Sequence, residues 1–169
     1  MKNIVLTGLM GSGKTSVGKR LADILQYDFL DTDDIIEQET GISINEIFSK
    51  YGEIWFREYE NKISRKLSEV EKTVISTGGG FVLNPDNIEN LRKNSIIVNL
   101  RTKAETLWNR LKTKTDRPLL KVLNPLNKLK ELINERERFY NNADYIIDTD
   151  DLSVDEVVEE ILNLIKEDI

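Results

Sequence analysis

The sequence predicts an α/β fold of three layers, a five-stranded parallel sheet with helices on both faces. Three observations carry that expectation. Short apolar runs alternate along the chain with segments whose apolar residues recur at spacings of three and four, the pattern of strand–helix–strand units. Several of the runs, such as Thr73-Val74-Ile75-Ser76-Thr77, are apolar or β-branched almost throughout rather than alternating, as strands covered on both faces are. The first run, Ile4-Val5-Leu6, passes into a helix-like segment through Gly8-Leu9-Met10-Gly11-Ser12-Gly13-Lys14-Thr15, a turn suited to join a strand to its crossover helix.

In order, a strand over Lys2–Thr7 leads to a helix over Lys14–Gln26, whose Val17, Leu21, Ile24 and Leu25 form one apolar face. Tyr27–Asp31 reads as the second strand, ending in the acidic cluster Asp31-Thr32-Asp33-Asp34. A helix beginning at Asp34 runs to Thr40, with Gly41 to terminate it. Ser43-Ile44-Asn45-Glu46 is a capping box that opens a short helix through Ile47 and Phe48, and another helix covers Glu53–Val70. The third strand, Thr73–Thr77, ends in Gly78-Gly79-Gly80, and Asn84-Pro85 supplies an N-cap and a first-turn proline for a helix to Lys93. Ser95–Leu100 is the fourth strand. Thr102-Lys103-Ala104-Glu105 reads as a second capping box, opening a helix to Leu111. The stretch 112–125 is polar, carries prolines and lacks periodicity, the features of a mobile loop. Leu126–Asn141 is helical, Asp144–Asp148 is the fifth strand, and Ser153 and Glu156 cap a closing helix to Glu167.

The 169 residues fit one domain spanning 1–169, large enough to bury roughly two-thirds of its unfolded surface. No cysteine and no histidine are present, so disulfides, thiolate metal sites and an imidazole base are excluded, and proton transfer falls to carboxylates, lysines or tyrosines. No apolar run reaches the length of a signal-peptide core or a membrane span, which predicts a soluble, cytoplasmic protein without a membrane partner. The net charge of −6 speaks against a nucleic-acid partner.

The spacing Gly8-x4-Gly13-Lys14-Thr15 has a physical reason. A strand must turn sharply into a helix with its backbone N–H groups directed at a polyphosphate, which glycine permits and the helix N-terminus favours. Gly11, Ser12, Gly13, Lys14, Thr15 and Ser16 are therefore the candidate nucleotide-binding residues, with Lys14 at the β/γ-phosphates and the Thr15 hydroxyl on Mg²⁺. A dinucleotide fingerprint fails at its third glycine, where Ser16 stands. An acidic protein holds such an anion only where cations are concentrated locally, which directs attention to its arginines.

Ligands of open parallel sheets bind at the carboxyl ends of the strands. That rule joins Gly8–Thr15, the Asp31–Asp34 cluster and Gly78–Gly80 into one site. Asp31 and Asp33 stand two apart at a strand end and so face different ways, one toward a metal ion and the other toward an acceptor. Arg57 and Glu60 lie one helical turn apart, where the carboxylate would orient the guanidinium. Three glycines after a strand let a small molecule lie against backbone N–H groups.

The ordered set Gly8-x4-Gly13-Lys14-Thr15, Asp31-Thr32-Asp33, Phe56-Arg57-x2-Glu60, Gly78-Gly79-Gly80, Asp116-Arg117-Pro118-Leu119-Leu120 and Arg136-x3-Tyr140 resembles the shikimate kinase family. The match reaches to about Asp148. The resemblance implies a P-loop NTPase fold of the nucleoside-monophosphate-kinase type and a monomer that transfers the ATP γ-phosphoryl group to the 3-hydroxyl of shikimate. It implies that Asp33, Lys14 and Arg117 are catalytic, that Thr15 and Asp31 hold Mg²⁺, and that Arg110 stacks near the adenine while Arg117 reaches the phosphates from the lid. It further implies that Asp33, Arg57, Gly78, Gly79, Gly80 and Arg136 bind shikimate, with the two arginines gripping its carboxylate, and that Phe48 and Phe56 wall the pocket. Thr149-Asp150-Asp151-Leu152 departs from the family pattern in being acidic.

Two classes of rival share the first motif. A kinase of another small acceptor, gluconate or a nucleoside monophosphate, would keep the loop, and so would a non-catalytic nucleotide-binding module; a GTP-dependent switch would carry Asn-Lys-x-Asp, which Asn127-Lys128-Leu129-Lys130 fails at its last position.

Overall fold

The computed structural model describes residues 2–113 and 122–169. Its elements are β1 (Asn3–Thr7), α1 (Lys14–Leu25), β2 (Asp28–Asp31), α2 (Thr32–Thr40), α3 (Ile44–Leu67), β3 (Thr73–Ser76), α4 (Pro85–Arg92), β4 (Ser95–Arg101), α5 (Ala104–Leu111), α6 (Pro125–Tyr140), β5 (Tyr145–Asp148) and α7 (Val154–Ile165). All strand pairs are parallel, in the order β2-β3-β1-β4-β5, so the five-stranded sheet expected from the sequence is present. β1 is the middle strand, and every one of its residues is buried.

Alternation along that strand divides the core in two. Val5, with Ile75 and Ile97 of the neighbouring strands, faces the side covered by α2 to α6, including Ile36, Ile63, Ile88 and Leu132. Ile4 and Leu6, with Val74, Ile96 and Val98, face α1 and α7 through Val17, Leu21, Val158 and Ile161. Helix α1 packs close because Gly18 has no side chain, and a Cβ there would lie 2.6 Å from the Phe29 ring. Ile24, expected on the apolar face, is 46% exposed and contributes little to it.

Local signals were kept or overridden according to how much tertiary contact reached them. The capping boxes at Ser43/Glu46 and Ser153/Glu156 form, and Asn84 caps α4 ahead of Pro85. The box expected at Thr102 does not form. Helix α5 begins one residue later with Lys103 as its N-cap, because the Thr102 hydroxyl is engaged with the Thr149 hydroxyl at 2.7 Å and the Lys103 N–H donates to Asp150 Oδ1. The two helices expected after Gly41 are assigned as one, α3, broken at Gly52, whose φ of 80° and ψ of 173° are not helical. Helix α2 starts at Thr32 rather than Asp34, with Asp31 as its cap. No helix among the described residues is long and apolar enough to cross a membrane.

Leu21 is fully buried between the sheet and α7. Leu21→Ala is expected to lower the unfolding free energy by about 2–5 kcal/mol with an unchanged dependence on denaturant concentration, measured by urea titration.

Candidate active site

The loop 8–13 leaves the carboxyl end of β1 and delivers Gly13 to the N-cap of α1. Gly8, Gly11 and Gly13 have φ of 143°, 80° and 98°, and a Cβ on Gly8 would lie 2.7 Å from the Leu100 carbonyl oxygen of β4. Only glycine satisfies both the angles and that approach. Helix α1 has no side-chain N-cap and no acid in its first turn, so its terminal N–H groups and the positive end of its dipole face the cleft. Lys14 is only 8% exposed, and its ammonium donates to the carbonyls of Gly8 at 2.8 Å and Leu9 at 3.1 Å, which holds the cation over the loop. Beside it the Thr15 hydroxyl donates to Asp31 Oδ2 at 3.3 Å, while Asp31 Oδ1 accepts the Asp33 N–H at 3.0 Å and caps α2. This hydroxyl–carboxylate pair suits a hard divalent cation whose remaining ligands are phosphate oxygens and water. The Ser12 hydroxyl is buried and has no hydrogen-bond partner among the described residues.

These groups line a cleft of about 510 Å³, which also takes in Asp33, Thr77, Gly78, Gly79, Arg110 and Leu152. Arg110 closes one end, donating to the Gly11 carbonyl at 3.1 Å and to the Thr149 carbonyl at 3.1 Å.

At the other end the three-glycine turn gathers side chains from α2, α3 and α6. The Gly78 N–H donates to the Thr32 hydroxyl, and a Cβ on Gly78 would lie 2.7 Å from Asp33 Oδ1 and 3.3 Å from Glu60 Oε1. The Arg57 guanidinium occupies the space that a side chain on Gly80 would need. It is held there by Glu60 at 2.7 Å and Glu53 at 3.2 Å. From α6, Arg136 Nη1 and the Tyr140 hydroxyl both donate to the Gly79 carbonyl, at 3.2 Å and 2.5 Å. Glu60 is fully buried, and burial raises its pKa to about 7 against the lowering effect of Arg57, with Asp33 adding to the rise. A loop suited to cradle a polyanion thus stands beside a corner where two guanidinium groups, Arg57 and Arg136, meet the carboxyl groups of Asp33 and Glu60, an arrangement suited to phosphoryl transfer onto an anionic acceptor.

The sequence model for "Shikimate kinase" matches residues 10–166. The shikimate kinase of Caldanaerobacter subterraneus subsp. tengcongensis is 49% identical over 96% of this chain and 95% of its own length. That of Thermodesulfovibrio yellowstonii is 48% identical over 96% of this chain and 94% of its own. Among solved structures, a shikimate kinase from Acinetobacter baumannii in complex with shikimate superposes with a TM-score of 0.94 at 39% identity, covering 99% of this chain and 94% of that one. The chain belongs to the shikimate kinase family.

The residues that carried the resemblance to the shikimate kinase family fall as follows. Gly11, Ser12, Gly13, Lys14, Thr15, Ser16, Asp31, Asp33, Gly78, Gly79 and Arg110 line the cleft together. Gly80, Arg57 and Arg136 are not among the residues that line that cleft; they gather about the glycine turn at its end, with Arg57 against Gly80 and Arg136 on the Gly79 carbonyl. Arg57 instead lines a separate groove of about 700 Å³ along the outer side of α3. Phe48 and Phe56 are in contact, ring centroids 4.8 Å apart, with Phe56 buried and Phe48 38% exposed. Arg117, and residues 114–121 of the expected lid, lie outside the described residues.

Two residues of the corner had no assigned role in binding. Thr32 carries no sequence signal beyond its place between two aspartates. Tyr140 had one, its spacing of four from Arg136, which puts both on one face of α6. The acidic Thr149–Leu152 segment proves partly structural, since Asp150 anchors the start of α5.

The raised pKa of Glu60 has a consequence for stability. In the unfolded chain this carboxyl ionises near its ordinary 4.5, whereas in the fold it holds its proton to about 7. Its contribution is complete below the lower value and is lost as pH rises through the upper one. Relative to Glu60→Gln, the native protein is expected to lose roughly 3 kcal/mol of unfolding free energy between pH 4.5 and 7, measured by denaturant titrations across that range.

Proposed function

We propose that this protein transfers the γ-phosphoryl group of ATP to the 3-hydroxyl of shikimate, giving shikimate 3-phosphate for chorismate and aromatic amino-acid synthesis. The observation that carries the reading is the meeting of the Gly8–Thr15 loop with Arg57, Arg136 and Asp33 around the three-glycine turn. Family membership and the shikimate complex of the A. baumannii relative support shikimate as the acceptor.

In this reading the loop N–H groups and Lys14 bind the phosphates, and Lys14 needs little rearrangement because the Gly8 and Leu9 carbonyls already hold its ammonium at the loop. Mg²⁺, with Thr15 and Asp31 on its protein side, supplies charge neutralisation for the phosphates when bound. Arg57 and Arg136 take the shikimate carboxylate, a planar anion that guanidinium matches and ammonium does not. That grip turns the ring so that its 3-hydroxyl meets Asp33. Asp33 accepts the hydroxyl proton as the oxygen–phosphorus bond forms and the bond to the ADP oxygen breaks. The transition state is loose, so Asp33 acts chiefly by orienting the oxygen. Arg110, fixed between Gly11 and Thr149, borders the adenine end, and Arg117 is assigned to the phosphates from its place in the 112–125 segment. All the groups named come from one chain, so the reading needs no partner subunit.

An acceptor panel with ADP release as readout tests the assignment. Turnover is expected with shikimate and lost on adding EDTA; turnover of gluconate or a nucleoside monophosphate without shikimate would overturn it. Arg136→Ala is expected to raise the KM for shikimate roughly 10- to 100-fold with the KM for ATP little changed, the worth of a charge-assisted contact. Asp33→Asn is expected to lower kcat far more than ATP affinity in the same steady-state assay.

A further inference from the structure

Helix α3 is interrupted at Gly52, between the two phenylalanines expected to wall the acceptor pocket. Gly52 has φ of 80° and ψ of 173°, a combination that essentially only glycine adopts. A Cβ there would meet nothing within 4 Å, so the backbone angles, not the packing, exclude a side chain. At Gly78 and Gly80 the reason is the opposite one, since charged groups fill the space that a side chain would need.

The interruption changes which side chains can meet. Eight residues of continuous α-helix rise about 12 Å, too far for rings at positions 48 and 56 to touch. The ring centroids of Phe48 and Phe56 are nevertheless 4.8 Å apart. Reorientation of the chain at Gly52 is what brings the first ring over the second. Each piece of the helix is held by contacts of its own. Before the break stand the capping box at Ser43, the Ile44 N–H on Glu37 Oε1 at 2.8 Å, and the fully buried Ile47. After it, Glu53 and Glu60 hold Arg57, whose guanidinium carbon lies 5.3 Å from the centre of the Phe56 ring. Phe48, Phe56 and Arg57 thus stand in a row, with Phe56 buried and Phe48 keeping a face open to solvent. An acceptor that bears a carboxylate on an apolar ring skeleton matches that row, its anion at the cation and its ring along the aromatic face.

We propose that Gly52 is a positioning residue for the acceptor pocket. Its glycine-only conformation turns residues 44–51 so that Phe48 closes onto Phe56 and walls the acceptor beside Arg57, while Gly52 itself touches no substrate. This rests on the reading of the site as a shikimate site. It adds to that reading a backbone angle, set outside the pocket, that decides where one wall of the pocket stands.

The test is a double-mutant cycle of Gly52→Ala and Phe48→Ala, with KM for shikimate and for ATP measured by ADP release. Each single variant is expected to raise the KM for shikimate about 5- to 20-fold, the worth of a lost apolar contact, with the KM for ATP within about twofold of wild type. The double variant is expected to match Phe48→Ala within about twofold, because Gly52 acts through that ring. An unchanged KM for shikimate in either single variant would overturn the proposal. So would multiplication of the two effects, which would mean that Gly52 supports the fold independently of Phe48. Should Gly52→Ala not fold, Gly52→Asn takes its place in the cycle under the same criteria, since asparagine tolerates a positive φ better than alanine. A wild-type protein that does not turn over shikimate would remove the functional reading and this proposal with it, whereas a normal wild type with silent variants would remove only the role of Gly52.

Discussion

The site depends on a backbone stripped of side chains. Asp33 and Glu60 stand over Gly78, Arg136 and Tyr140 hold the carbonyl of Gly79, and Arg57 fills the place of a side chain on Gly80. Three helices, the consecutive α2 and α3 and the distant α6, thus bring polar and charged groups onto three consecutive residues of one turn. A methyl group at Gly78 or Gly80 would lie within contact distance of these charges and force one of them out. The crowding also explains the charge state of the corner. Glu60 is removed from water, and its own ionisation is disfavoured even beside Arg57, because the cost of desolvating a carboxylate exceeds what one partner returns.

The phosphate-binding side follows a different logic, in which the protein supplies dipoles rather than full charges. The chain carries a net charge of −6, yet the cleft floor is made of backbone N–H groups at the start of α1 with a single ammonium held over them. Their orientation is set by the loop angles before any ligand arrives, so little rearrangement opposes binding. Placing this loop on the middle strand β1 puts it between β3 and β4, so the three-glycine turn after β3 is its immediate neighbour. The neighbour relation of these two strand ends, not their distance along the chain, makes one cleft of them.

Features governed by residues within one turn of each other were legible. The capping boxes at Ser43 and Ser153, the Asn84-Pro85 start and the Gly41 stop each depend on bonds that close over a few residues, and no distant group competes for them. Thr102 had the same local pattern and a different fate, since Thr149 and Asp150 reach it from 47 residues away. Asp31 shows how two readings combine: it caps α2 with one oxygen and faces Thr15 with the other. The part played by Thr32, and the degree to which Glu60 is desolvated, were invisible, because each depends on what lies across the turn rather than on neighbours in the chain.

By itself the sequence determined the parallel α/β architecture, the phosphate-binding loop and the candidate side chains, because periodicity, glycine spacing and residue chemistry are properties of short segments. Tertiary structure decided which of those side chains meet. Strand order 2-3-1-4-5 brings the loop after β1 beside the turn after β3, and the packing of α3 and α6 over that turn gives Arg57, Glu60, Arg136 and Tyr140 a common target. The physical reason is that contact across a sheet depends on which strands pair and which helices cover them, and the spacing of motifs along the chain carries no record of that choice.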